Sequence, residues 1–283
     1  MKEIKLTIAL VFSLLLLAGC ETLVELDLPD HKPRIVVNAV FNPDSLFTVD
    51  LSSSQSVFTD HTYTPITDAT IKVYKDGQYL FAVEHKGKGI YKADRKPEAL
   101  KHYELQVSAP GHASIKAASY VPAAPSVRDL KATRVPATNN QSAGIQLSFV
   151  LEDEPGQENY YYIQAYAPDI NPFNNQAYNR AIRIEFNKPI KYEFNMENRW
   201  FFSDKLFNGQ KIPLDLFLET NQREMRHVQI AHITKKYYDY VRTLEKQSYS
   251  DNFGVMPMPV ANNIEQGLGL FAGYNSVTVK ILP

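Results

Sequence analysis

Cysteine is nearly absent from this chain; the one copy is Cys20. A single thiol closes no disulfide within the chain, although exported proteins form them freely. An excess of one charge is also missing. Lys and Arg total 30 against 31 Asp and Glu, for a formal net charge of −1. No basic block breaks that balance, so the charge gives no argument for nucleic acid. Long apolar runs are lacking too. The run Ile8–Leu17 falls short of the roughly 20 residues a spanning helix needs. Catalytic signatures are absent: there is no Gly-x-Ser-x-Gly, no His-Glu-x-x-His and no P-loop. Tryptophan occurs once, as Trp200, whereas there are 17 Tyr and 15 Phe. Tyr and Phe favour half-buried pleated surfaces, so this bias reads first as a β-rich fold.

What is present begins at the N-terminus. Lys2 and Lys5 precede the apolar run, which closes with Leu17-Ala18-Gly19-Cys20. A charged start, an apolar stretch and small residues before a cut describe a secretory signal peptide. The cysteine at the cut resembles the lipobox of bacterial lipoproteins. This implies cleavage between Gly19 and Cys20, removal of residues 1–19, and a lipid chain on the Cys20 thiol. No free thiol then remains, which excludes thiol catalysis and thiolate zinc sites. The expected location is the outer membrane, lipid-anchored and exposed at the cell surface, with the periplasmic face as the alternative. Glu21 follows the cysteine where an inner-membrane retention signal would place Asp. Glu25 and Asp27 add acidic charge further on.

The remaining chain is long for one domain and natural for two. Residues 20–32 read as the lipidated cysteine and a tether. Residues 33–121 carry short alternating segments at Ile35–Val40, Phe47–Leu51, Ile71–Val73, Leu80–Val83, Tyr103–Val107 and His112–Val121. Asp76-Gly77 and Pro110-Gly111 mark turns between them. That spacing predicts an immunoglobulin-like β-sandwich, and Tyr103–His112 resembles the closing strands of prealbumin-like domains. Residues 122–126 read as a linker built on Pro122 and Pro125, because proline removes a donor and interrupts a sheet. Residues 127–283 read as a second β-rich domain. Its strands fall near Ile145–Leu151, Asn159–Tyr166, Arg180–Phe194 and Val228–Ile233, and a last one runs over Val277–Ile281. One helix is expected at 234–249, N-capped by Thr234, with Tyr237, Val241 and Leu244 on one face. It should pack on the sheet. Residues 253–275, rich in Pro and Gly, read as loop.

Several chemistries were weighed on the residues. Gly267-x-Gly269-x-x-x-Gly273 misses the dinucleotide fingerprint by one residue. His227 and His232 lie five apart on a strand and so point to opposite faces. His102 and His112 have no metal-site spacing. Glu152-Asp153-Glu154 is one acidic turn, whereas a calcium cage needs 6–8 ordered oxygens. No metal site, cofactor or catalytic residue is assigned. Asp204, Asp215 and Glu219 would make a glycosidase pair only if the fold brought two within roughly 5–10 Å. Trp200, Tyr160 and Tyr162 are the candidate ligand contacts, as surfaces for a glycan or peptide.

The C-terminal pattern carries a family resemblance. Tyr237-Tyr238-Asp239-Tyr240, Leu244-x-x-Gln247, Asn263-Ile264 and Gly267-Leu268-Gly269-Leu270-Phe271 resemble the Bacteroidota lipoproteins catalogued as domain of unknown function 4249. Phe202-Ser203-Asp204, Phe207-Asn208-Gly209 and Arg34-Ile35-Val36-Val37-Asn38 fit the same pattern. The turn Tyr249–Phe253 departs from it, since a Gly-rich turn is usual there. The resemblance implies an accessory lipoprotein encoded near a TonB-dependent outer-membrane transporter, with that transporter as partner and a small nutrient, glycan or peptide as ligand. It supplies no catalytic residues. The leading expectation is therefore a non-enzymatic envelope binding protein. Two alternatives stay open: a surface glycan- or peptide-active hydrolase using paired carboxylates, and an adhesin or envelope-structural lipoprotein.

Overall fold

Alternating burial along short strands dominates residues 33–121, and it builds a sandwich. The structure, a computed structural model, describes residues 32–56, 63–138, 142–187, 192–219, 225–253 and 258–281, the side chains of 249–253 aside. The signal segment, Gly19 and Cys20 lie outside the described residues. The first strands are β1 (Ile35–Phe41), β2 (Thr48–Ser53), β3 (Thr70–Lys75), β4 (Gln78–Gly87), β5 (Ile90–Lys92), β6 (His102–Ser108) and β7 (Ile115–Tyr120). β1 buries Ile35, Val37, Ala39 and Phe41, and β6 buries Tyr103, Leu105 and Val107, the period-two pattern of a strand with one face in a core. β3 and β4 join at Asp76-Gly77, where both residues have positive φ. That backbone matches the twist of a two-residue hairpin. β4 pairs with β3 at one end and with β5 at the other, so it links the two layers around the first core.

The second half contains β8 (Ser126–Val135), β9 (Gly144–Glu152), β10 (Tyr160–Ile170), β11 (Ala177–Ile182), β12 (Ile184–Phe186), β13 (Phe194–Met196), β14 (Arg199–Ser203), β15 (Lys211–Glu219), β16 (Arg226–Ile233), β17 (Ile264–Glu265) and β18 (Leu268–Ile281). The helix α1 spans Lys235–Phe253. Strands β12-β15-β9-β8 form a small sheet, and the large sheet runs β13-β14-β10-β16-β18-β1 and on through the first half. The second core lies between the small sheet and β10, β14 and β16, with Leu147, Phe149, Tyr161, Ile163, Phe202, Leu216 and Ile230 inside. The third lies on the opposite face of the same strands, under α1, with Tyr160, Tyr162, Phe201, Ala231, Tyr237 and Tyr238. The architecture is mainly β, with α1 packed on the sheet as its periodicity predicts.

β10 explains itself from this layering. Its first four residues, Tyr160-Tyr161-Tyr162-Ile163, are all buried. Strands covered on both faces read as continuous apolar runs, and here the small sheet covers one face and α1 the other. Each such side chain contributes roughly 1.5–3 kcal/mol on burial.

The expectation of loop over residues 253–275 holds at 258–263, lies outside the described residues at 254–257, and is corrected from Ile264 on. The last strand begins at Leu268, not near Val277, and runs 14 residues. Its first part pairs parallel with β1, from Val36↔Leu268 to Phe41↔Gly273. Its second part pairs antiparallel with β16, from Ile233↔Tyr274 to Arg226↔Ile281. The glycines that imitate loop composition serve close backbone approach. A Cβ on Gly269 would lie 2.0 Å from the Val37 carbonyl oxygen, at a φ of +105°, and one on Gly273 would lie 2.1 Å from the Tyr120 oxygen. Residues 122–125 are held against this strand system: the Asn275 side-chain amide donates to the Pro122 carbonyl (3.1 Å), and the His232 Nδ1 meets the Ala123 carbonyl (3.2 Å).

Gly269→Ala is expected to destabilise the protein by more than about 2 kcal/mol, because overpacking and a left-handed backbone both act against it. Gly111→Ala, with positive φ but open space around it, should cost only about 1 kcal/mol. Urea denaturation of the two variants checks the order; equal losses would contradict the close-approach account.

Candidate functional site

Helix α1 positions the site, and its start is set locally. Thr234 precedes it, with its Oγ1 accepting from the Tyr237 N–H (3.4 Å) and its carbonyl from the Tyr238 N–H (3.1 Å). Tyr237, Tyr238 and Val241 turn into the third core. Arg242, Glu245 and Lys246 lie towards the edge strand β13. β13 and β14 are joined by Glu197-Asn198, both at positive φ (50° and 59°), a two-residue hairpin turn. That turn sets Trp200 opposite Asn195.

The three aromatic candidates part company. Tyr160 and Tyr162 are buried in the third core, where Tyr160 packs on Tyr238 (4.7 Å) and Tyr162 on Phe201 (5.6 Å). Their hydroxyls are used internally, donating to Glu158 and Gln229. Trp200 is only partly buried. Its ring meets Tyr192 edge to face at 4.4 Å and Phe186 at 5.5 Å.

Trp200 lines a cleft of about 830 Å³ at the sheet edge, between the β13–β14 hairpin, the turn at Lys205-Leu206 and α1. That volume is in the roughly 300–1,000 Å³ range of small-molecule sites. Tyr192, 45% exposed, and Leu206, 76% exposed, offer apolar surface there, and Lys205, Arg242 and Lys246 offer positive charge. Glu193 is exposed but hydrogen-bonded to its neighbours. It accepts from the Ser203 N–H (3.3 Å), the Ser203 hydroxyl (2.5 Å) and the Tyr238 hydroxyl. Desolvation alone would raise its carboxyl, but those hydrogen bonds, with the Lys205 charge after them, outweigh it and hold the group below the ordinary carboxylate range. Sequence reasoning singled out Trp200 but missed Lys205, Arg242 and Lys246, which are distant in sequence from Trp200 or lie on a different element.

A second cavity of about 510 Å³ lies beside the other face of α1, lined by Tyr162, Arg199, Gln229, Tyr237, Tyr240 and Tyr274 among others. A polar chain crosses its floor. Gln164 and Tyr162 donate to the Gln229 carbonyl oxygen (2.5 and 3.0 Å), and the Gln229 amide donates to Ser276 (2.9 Å). Arg199 donates to the Tyr237 hydroxyl (2.9 Å). These groups satisfy one another.

The candidate carboxylates are not brought together. Asp215 accepts from Gln146, and Glu219 faces Arg183 at 3.9 Å. Four residues apart on β15, they are separated by roughly 13 Å of strand, more than a glycosidase pair allows. Asp204 instead meets Asp153 out of reach of solvent. The Asp204 Oδ2 accepts from the Asn159 N–H (2.9 Å) and from the Asn159 and Asn208 amides (3.2 and 3.1 Å), while its Oδ1 has no donor. Asp153 accepts from the Tyr161 hydroxyl (2.6 Å) and the Gly209 N–H (2.8 Å). Asp153 is thus a structural knot, and Glu152 of the same acidic turn pairs with Lys211 (2.6 Å). Among the described residues no group of three or more His, Cys, Asp or Glu converges as a metal site would require. His227 stacks on Tyr166 and His232 lies on Tyr161, on opposite faces of β16; His112 bonds Ser53 and His102 lies on Tyr120.

Burial first, and the Asp153 carboxylate after it, push the Asp204 carboxyl above its ordinary range, against the hydrogen bonds from Asn159. A raised folded value contributes stability that is full below the unfolded aspartate value and is lost as pH rises through the folded one. Asp204→Asn keeps an acceptor for Asn159 and turns an N–H towards Asp153, so it should abolish that loss with rising pH. Asp204→Ala should cost about 1–3 kcal/mol at every pH by stranding buried donors. Urea denaturation across a pH series checks both; parallel wild-type and Asp204→Asn profiles would contradict the burial of an ionisable Asp204 beside Asp153.

Comparison with known proteins adds a family and little else. No curated protein matches the chain. Among solved structures, a Salmonella alpha-2-macroglobulin mutant (Y1175G) matches at 11% identity and a TM-score of 0.24, covering 95% of this chain. The chain spans only 16% of that protein's length. The yeast delta-COP-I mu-homology domain, complexed with a Dsl1 WxWxV peptide, matches at 9% identity and a TM-score of 0.23, covering 89% of this chain and 97% of that one. The model of the family described as Domain of unknown function (DUF4249) matches residues 21–280, and the chain belongs to that family.

Proposed function

We propose that this is a lipid-anchored binding protein of the bacterial cell envelope that supports a TonB-dependent nutrient-uptake system, as in the Bacteroidota lipoproteins it resembles. In this reading residues 1–19 are removed and Cys20 carries the acyl chains. Each buried methylene contributes roughly 0.8 kcal/mol, and one chain alone binds reversibly, so two or three are needed for a durable anchor. The tether ending at Lys32 then holds the folded part at the outer membrane, on its external face.

The observation that carries the binding half is the Trp200 cleft. It is open and lined by aromatic and cationic side chains, and its carboxylate Glu193 is hydrogen-bonded to Ser203 and Tyr238. Such a surface holds a ligand by stacking and charge. The candidate carboxylates, by contrast, are either enclosed or far apart on one strand, which favours binding over hydrolysis. The uptake context is drawn from the resemblance to lipoproteins encoded near such transporters.

The test is affinity purification of the lipidated, C-terminally tagged protein from outer membranes, read by mass spectrometry. One TonB-dependent transporter should be recovered at near-equal stoichiometry, and Cys20→Ala should leave the membrane fraction altogether. Recovery of the lipoprotein alone, with its anchor intact, would contradict the uptake role.

A further inference from the structure

The walls of the Trp200 cleft define what it can hold. Lys205, Arg242 and Lys246 face it, and none takes part in an ion pair among the described residues, whereas Lys75, Lys101, Lys211 and Lys235 each hold a carboxylate within 3 Å. Of the two acidic residues in the lining, Glu193 is hydrogen-bonded by Ser203 and Tyr238 and feels Lys205, so two carboxylates stand against three cations. The chain as a whole carries a net charge of −1, so the positive cleft is not one sample of a generally basic surface. A concave site with an excess of one sign of charge concentrates the opposite ion. Beside those cations, Trp200 and Tyr192 present an edge-to-face aromatic corner, with Tyr192 and Leu206 left in solvent. Exposed aromatic surface rimmed by charge marks a contact site.

We propose that this cleft binds a ring-bearing organic anion, with its carboxylate or sulfate groups on Lys205, Arg242 and Lys246 and its ring against Trp200 and Tyr192. A flexible acid without a ring would satisfy the cations and leave the aromatic corner bare. A neutral sugar would cover the corner and leave the cations unmatched. The volume of about 830 Å³ admits more than one ring. The ring can come from an acidic saccharide or from an aromatic acid, and the assay separates these sources. This inference rests on the binding-protein reading above and names its ligand class.

The chain supplies its own probe, because Trp200 is the only tryptophan. Its emission in the full-length, detergent-solubilised lipoprotein is titrated with tetragalacturonate, benzene-1,3,5-tricarboxylate, maltotetraose and citrate. At least one of the first two should shift Trp200 emission saturably, with an apparent affinity that falls as salt rises. The one that does so assigns the source as saccharide or aromatic acid. Maltotetraose and citrate should give no saturable shift. Arg242→Glu with Lys246→Glu should weaken binding at least tenfold while leaving the thermal melt by circular dichroism in place. Three results would overturn the proposal: no response to either ring anion from folded protein, equal binding of maltotetraose, or full affinity in the charge-reversed variant. None of these bears on recovery of a transporter from the membrane, so the two readings fail separately.

Discussion

One strand, β18, reaches all three cores of the described residues. It contributes Phe271 to the first core, Ile281 to the second, and Leu270 and Ala272 to the third. It hydrogen-bonds β1 along its first part and β16 along its second. A parallel pair needs a crossover connection, and here the crossover from β1 to β18 is nearly the whole chain. The pairing therefore closes a very long loop. Loop-closure entropy grows only slowly with length, so a few well-packed residues can offset it. The close approach is possible because Gly269 and Gly273 carry no Cβ to strike Val37 and Tyr120.

The second consequence concerns where binding surface is left. The large sheet is covered by the small sheet on one face and by α1 on the other, which consumes Tyr160, Tyr161, Tyr162, Phe201 and Phe202. Aromatic richness in this chain is thus mainly structural. What remains for a ligand lies where coverage stops, at the margins of α1. There the edge strand β13 ends the sheet, and α1 presents its charged side next to Trp200. A scaffold that is buried on both faces holds that margin rigidly, which lowers the cost of ordering side chains when a ligand arrives.

Much of this was legible from the residues. The alternation in β1, β3, β6 and β9, the Asp76-Gly77 hairpin and the Thr234-capped helix follow from local rules, and the structure carries them where they were expected. The failure at residues 264–275 has a physical cause. Gly and Pro signal turns when read locally, yet Gly267 and Gly269 answer to β1, more than 200 residues away, and Gly273 to Tyr120, about 150 residues away. The β13–β14 hairpin was missed for a related reason: Glu197-Asn198 lacks the glycine of the stronger turn signals. At the site, Trp200 stood out by its rarity. Tyr160 and Tyr162 looked equally available because strand alternation says nothing about a second layer. The cations of the cleft could not be found by spacing, since Lys205 sits in a turn and Arg242 and Lys246 sit on a helix.

Native-state hydrogen exchange of amides in β1 and β10 tests the central claim most directly. If β18 binds the two halves into one structure, Val37 and Ile163 amides should exchange through the same global opening and share its free energy and denaturant dependence. A β1 set that opens at distinctly lower free energy while β10 stays closed would contradict it, and would make the halves independent.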